Sequence, residues 1–427
     1  MMPVLYIAGR AFVPLSYLIF AVLLVNFRRN NQDHHIILSF LIVLVFGDSR
    51  ESEVEFTKQL RVISLMIMAG LTIIDLTKKK YGFKRLFLLV IPFYVIAIIG
   101  AFRNYSFGTS FSKATSYILL LFVGFHYLDY HIRKDGKTLL RDVFYLAVIV
   151  FAVGLAFMIV KPNLAIYGES GRFRGVMGNP NGIGIYGTLL MMIFFLYLQL
   201  LKMEKDRIWI WAFWSVLLVS VVLSFSRNAL LSISLFLFFY YFYKGGSIKR
   251  IIFYILLVPT AVALFNIESI IHLIRLMGLG EELRIESILT GSGRFFAWQW
   301  AWETFQENMW LGRGFAFEEI LFHDYMPEWL IISGHQGGVH NSYLAFLLNT
   351  GIVGTILILF IFMRFLNKVP VRNIRLAILF SAGFSAFFEP WLNSSLNAFT
   401  ANLILAILFY THLYPPKTPA ELTAQTE

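Results

Sequence analysis

The 427-residue chain has no cysteine, which excludes disulfide staples and thiol chemistry. Charge is also scarce: Asp, Glu, Lys and Arg make up 14% of the residues, against about 25% in an ordinary soluble domain. No GxxxxGK[ST] phosphate loop and no dinucleotide fingerprint occurs, so a nucleotide-driven reaction is not expected. Neither HExxH nor a comparable spacing groups the histidines around a metal. His335, and His323 with Asp324, raise a metal site that no ligand spacing supports, so neither metal nor cofactor is predicted. A removable leader is not predicted either, because the first apolar run, residues 4–27, is too long and lacks a charged start.

What the chain has in excess is apolar surface: 58% hydrophobic residues and a mean hydropathy of +0.70. Runs of the roughly 17–25 residues that cross a bilayer recur from end to end. Helices satisfy the backbone where no water can. The sequence therefore predicts an all-α polytopic membrane protein with a single membrane domain over residues 1–427. Its predicted spans are residues 4–27, 36–46, 60–76, 86–102, 116–130, 139–160, 182–201, 208–223, 229–243, 251–265, 341–365, 374–388 and 396–413. The second is short and Pro14 falls inside the first, so the count is about 12–13.

A net charge of +11 could point to nucleic acid. Its distribution points elsewhere. Lys78–Lys80 with Arg85, Arg133–Lys137, Lys202–Arg207, Lys249–Arg250 and Lys368–Arg375 all fall in short connections on one side. That is the positive-inside pattern, with anionic lipid as the partner of those residues and no nucleic acid. The C-terminal tail, residues 414–427, is then cytoplasmic. The other side is acidic or mixed and carries one large loop, residues 268–339. Within it, residues 292–308 read as a helix capped by Ser292, with Trp298, Trp302 and Phe305 on one face. That face either lies in the membrane interface or packs on the bundle; the pattern fits both.

Four clusters on the outer side could carry chemistry. In Gly171–Gly184 (GRFRGVMGNPNGIG), Arg172 and Arg174 offer forked donors to phosphate oxygens. The Asn-Pro-Asn-Gly turn, with Asn181, leads into a helix N-terminus that suits an anion. In Ser224–Asn228 (SFSRN), Arg227 sits at the membrane boundary; it serves function or snorkels to headgroups. Arg294 opens the aromatic helix, where a cation opposes the helix dipole and calls for an anionic partner. The last cluster is GHQGGVHNSYLAFLLNTGIVG, Gly334–Gly354, in which His340 and Asn341 stand at the start of a span. Histidine titrates near neutrality and can take a proton from a sugar hydroxyl. Gly337 and Gly338 read as a hinge. Three arginine sites and a histidine together suit a lipid diphosphate donor.

In these four elements the chain resembles the bacterial O-antigen ligase and polymerase family. The elements are Arg172-Phe-Arg174-Gly175 leading to Pro180-Asn181-Gly182, Ser224-Phe-Ser226-Arg227, Ser292-Gly293-Arg294, and His340-Asn341 followed after nine residues by Gly351 and Gly354. The resemblance implies a GT-C-like membrane fold in the bacterial inner membrane with the site on the periplasmic or extracellular side. It implies metal-free, inverting transfer of a glycan from undecaprenyl diphosphate. By carry-over His340 is the base, Arg172, Arg174, Arg227 and Arg294 bind the diphosphate, and Asn181 and Asn341 support them. The acceptor is lipid A core for a ligase and a growing glycan for a polymerase; the spacing leans to ligase. A transporter or flippase of lipid-linked sugars is the rival class. It would call for ionisable residues at mid-span, whereas Asp75, Asp129 and Glu389 fall near span ends.

Overall fold

The computed structural model describes residues 1–49, 51, 54–104, 106–168, 170–200, 207–241, 294–325 and 338–414. The described residues are a helical bundle; their only strands are the two-residue pairs Ile166–Tyr167 and Arg172–Phe173, which join antiparallel. Five helices are long and apolar enough to cross a membrane: Phe56–Thr77, Phe107–Val160, Pro180–Leu200, Arg207–Ser224 and Ser342–Leu366. Asp33–Gly47, Arg85–Ala101 and Ala398–Leu413 are shorter apolar helices. The chain is an all-α polytopic membrane protein. The predicted span 251–265, the Ser292 cap, Gly337, His335 and the tail beyond 414 lie outside the described residues.

Two predicted boundaries change. The run 4–27 is two helices, Met2–Ala11 and Val13–Arg29, separated at Phe12, which is extended at φ −162° and ψ 108°. Pro14 lies in the first turn of the second helix, where its missing N–H has no intrahelical partner to lose. The spans at 116–130 and 139–160 are limbs of one 54-residue helical run. It contains a π-turn at Gly124–Leu128 and bends at Asp135 (φ −129°, ψ 27°).

Pro180–Leu200 and Ala398–Leu413 are apolar all round, and they form the middle of the bundle. The first is buried from Gly182 to Tyr197 and the second from Ala398 to Tyr410. Outer helices instead leave large apolar groups exposed, as Arg207–Ser224 does with Ile208, Trp211 and Leu218. Such a face suits lipid.

Within the large loop the helix Arg294–Gln306 forms, with its packed face turned partly away from the one predicted: Phe305 and Trp298 pack, and Trp302 does not. Ala297, Ala301, Thr304 and Phe305 are buried, while Trp302 is 48% exposed. The alanines let this helix approach Ser342–Leu366 closely, an advantage that the bulk of the tryptophans masks in a hydrophobicity pattern. Ala297, Ala301 and Phe305 share a small core with Phe317, Leu321, Phe322, Val339 and Leu348.

The helix Ser342–Leu366 is interrupted at Gly351, where φ is +66°. A Cβ there would stand 2.3 Å from the Trp310 carbonyl carbon and oxygen, so only glycine fits. The backbone groups freed by the break pair with the loop. Arg313 N donates to Leu348 O and Gly314 N to Asn349 O, each at 2.8 Å, and Ile352 N donates to Met309 O at 2.7 Å. The segment 309–314 is thereby knitted into the middle of a membrane helix.

Candidate active site

Helix ends converge at one end of the bundle. Pro180–Leu200, Arg227–Tyr241, Ser342–Leu366 and Ala398–Leu413 begin there, and Arg207–Ser224 and Arg372–Phe388 finish there. Asn341 caps its helix as a short side-chain acceptor should: its Oδ1 takes Tyr343 N at 2.9 Å and Leu344 N at 3.1 Å. The residue before the cap, His340, has φ +48°, a conformation that a side chain seldom adopts without outside support. Part of that support comes from Trp298, whose indole Nε1 donates to Val339 O at 2.9 Å.

The centre of the arrangement is Glu389, at the C-terminal cap of Arg372–Phe388 and 6% exposed. Its Oε1 accepts from Arg294 Nη2 and from Asn181 Nδ2, each at 2.7 Å. Its Oε2 lies 3.5 Å from His340 Nδ1. Burial pushes this carboxyl up, but the hydrogen bond from His340 and the charges of Arg294 and His340 outweigh it and hold Glu389 below the usual carboxylate range. Glu389 is therefore an anion at neutral pH. The backbone is fixed as well: Ser342 Oγ donates to Glu389 O at 2.7 Å and accepts from Leu392 N at 3.1 Å.

Arg172 extends the network. Its Nη2 donates to Asn181 Oδ1 at 3.0 Å and its Nε to Ser224 O at 2.7 Å. One chain of contacts thus joins Arg172, Asn181, Glu389, Arg294 and His340. Arg227 is exposed and begins the next helix, three residues after Ser224 and just past Phe225, which turns at φ +46°. Asn228 Nδ2 fastens that turn to Ser385 O at 3.3 Å.

Arg174 goes elsewhere. It is 7% exposed, pairs with Glu51 and donates to Asn163 O at 3.0 Å. The turn predicted to receive an anion also serves internal acceptors: Gly178 N donates to Asp48 Oδ2 at 3.1 Å and Gly182 N to Asn179 Oδ1 at 2.8 Å.

Sequence reasoning missed Glu389, which it counted only as a charge near a span end. The signal was present: Glu389-Pro390 places an acid where an apolar helix must stop. The anion that the position of Arg294 called for exists within the chain, and it is this residue.

Comparison with known families gives the context. Residues 183–359 match the family model described as O-antigen ligase. Over these residues the chain is similar to the O-antigen ligase family. The match contains Arg227, Arg294, His340, Asn341, Gly351 and Gly354; Arg172, Arg174, Asn181 and Glu389 lie outside it. Comparison with curated proteins finds no match. The match indicates O-antigen ligase- or polymerase-type function; that family is one of glycosyltransferase-like enzymes acting on lipid-linked glycans. With the apolar helices, it makes the chain a multi-pass membrane protein of polysaccharide biosynthesis.

Proposed function

We propose that the protein transfers a glycan from undecaprenyl diphosphate to an acceptor hydroxyl, at the outer face of the bacterial inner membrane. The observation that carries this reading is the contact of His340 Nδ1 with the buried Glu389 carboxylate, which also holds Arg294. A proton on Nδ1 directed at Glu389 leaves Nε2 as the basic nitrogen. Nε2 takes the acceptor proton while the acceptor oxygen attacks the anomeric carbon. The bond from that carbon to the diphosphate breaks, and attack opposite the leaving group inverts the centre. A base in this role is worth about 10²–10⁴-fold.

The diphosphate is already a good leaving group, so charge and positioning carry most of the rest. We assign it to Arg172, Arg227 and Arg294. A guanidinium has five N–H donors, and in Arg294 the Nη2 group serves Glu389. Arg174, paired with Glu51, holds the hairpin that presents Arg172. No step of this scheme calls for a metal or a nucleotide. The basic connections at the opposite end of the bundle support a site on the outer side.

The acceptor assigned is lipid A core, the ligase outcome. A polymerase would extend another lipid-linked glycan with the same machinery. Purified protein given undecaprenyl-diphosphate glycan and lipid A core should form the joined product without added metal or nucleotide. A product that grows only on the lipid-linked glycan reassigns the protein as a polymerase. Full activity of His340→Ala removes His340 as the base. Passage of the lipid-linked sugar across vesicles without transfer would instead favour the flippase reading.

A further inference from the structure

The loop helix Phe317–Tyr325 carries an acid that the scheme above does not use. Glu318 is 6% exposed, and its Oε1 accepts from Asn393 Nδ2 at 2.7 Å. Its Oε2 is buried without a hydrogen-bond partner, and both polar side-chain atoms of Asn349 are in the same condition. The Asn349 amide lies beside the carboxyl. The cations nearby are taken: Lys113 pairs with Glu319 and Arg313 with Glu307. An ionised Glu318 would thus be a buried charge without a close counter-ion, which is expensive. A protonated Glu318 resolves the arrangement. A proton on Oε2 removes the buried charge beside the Asn349 amide, and Oε1 continues to accept from Asn393.

Asn393 closes the 3₁₀ turn Pro390–Asn393, which follows Glu389 directly. We propose that Glu318 is a positioning residue: as a neutral acid, and through Asn393, it fixes the turn that presents Glu389 to His340. Burial, and then the like charge of Glu319, push the Glu318 carboxyl above its ordinary value; Lys113, on the helix Phe107–Val123, the Glu318 backbone N–H and the Asn349 amide oppose them without cancelling them. The activity part of this inference rests on the transfer proposed above. The protonation part does not.

The test uses the purified full chain as wild type, Glu318→Gln and Glu318→Leu. A carboxyl raised in the folded state keeps its proton where the unfolded chain has lost it. Folded stability then falls as pH rises from the ordinary value of 4.5 to the raised value, and is level above it. The expected result is that this fall, measured by thermal unfolding across pH, is present in wild type and absent in Glu318→Gln. The ratio of wild-type kcat to that of Glu318→Gln, in which titrations common to both cancel, declines over the same window with the donor KM unchanged. At the lower pH the two kcat values agree within about twofold. Glu318→Leu, which removes the acceptor for Asn393, lowers kcat about tenfold to a hundredfold. It also moves the His340 imidazole NMR signal, which Glu318→Gln leaves in place.

A Glu318→Gln variant that loses kcat as Glu318→Leu does, or that keeps the wild-type pH dependence of stability, overturns the proposal. So does an unmoved His340 signal in Glu318→Leu. Absence of transfer in wild type overturns the functional reading instead, and the stability and NMR results still decide the role of Glu318.

Discussion

Two buried carboxylates stand at opposite ends of the bundle and hold similar partners. Asp129 is 3% exposed and receives Lys84 Nζ at 2.8 Å, Arg133 Nη2 at 2.5 Å and His412 Nε2 at 2.8 Å. Glu389 receives Arg294 and Asn181 at 2.7 Å but meets His340 at 3.5 Å. Chemically the two are near relatives, each an acid with a histidine and an arginine. Mechanically they differ. The three bonds to Asp129 are short, and its histidine sits in the last turn of a regular helix, where a cation is favourable. The histidine of Glu389 lies outside its helix, in a left-handed conformation, at a longer distance. A constellation of residue types is therefore a poor guide to function by itself. Tight closure fits a clasp between helices, and looser closure fits a group that must move a proton.

That contrast can be broken or sharpened by substitution. The largest effect is expected for His340→Ala, a loss of transfer of about 10²–10⁴-fold in protein that still folds. Glu389→Gln comes next, with kcat reduced about a hundredfold; equal activity would mean that the carboxylate does not orient the imidazole. Asp129→Asn should behave in the opposite sense, losing stability by about 1–3 kcal/mol while donor KM and kcat in the folded fraction stay put. A loss of kcat there at unchanged stability would erase the distinction between the two ends. Acid should also discriminate. Because Glu389 is held below its ordinary value of 4.5, its contribution to stability is complete above that value and disappears only as pH falls through the lowered one. Thermal unfolding of wild type against Glu389→Gln should therefore differ at neutral pH and converge in strong acid. The smallest effect is expected for Trp302→Ala, within about 0.5 kcal/mol, since the ring points away from the packed face.

How much of this was legible in the sequence depended on how local the cause was. Apolar runs and the Asn341 cap are set by neighbouring residues, and they read directly; Gly351 read only as a spacing from His340, because its break answers Trp310. The aromatic helix was legible but its packed face only in part, because Ala297 and Ala301 contribute closeness rather than hydrophobicity. His340, Arg172 and Arg294 were legible as residues out of place on an outer surface. The partners Glu389, Glu51 and Glu318 were not. Each meets its arginine, histidine or asparagine across a large sequence separation (208 residues between Asn181 and Glu389), and no periodicity encodes such a meeting. The π-turn at Gly124–Leu128 and the bend at Asp135 likewise arise from packing against other helices, where the sequence alone reads as two spans and a connection.

The knit at Gly351 has a consequence for how the large connection tolerates change. Because residues 309–314 are pinned to the middle of a helix that starts only at Ser342, the chain between them is a closed circuit with its own anchors. Lengthening such a circuit costs little closure entropy, about 0.6 kcal/mol per doubling. A tag or inserted segment between Tyr325 and Gly338 thus spares Phe317, Leu321, Phe322 and Val339, which share a core with the helix that carries Arg294. The same insertion placed between Gln306 and Gly312 would undo the pin itself.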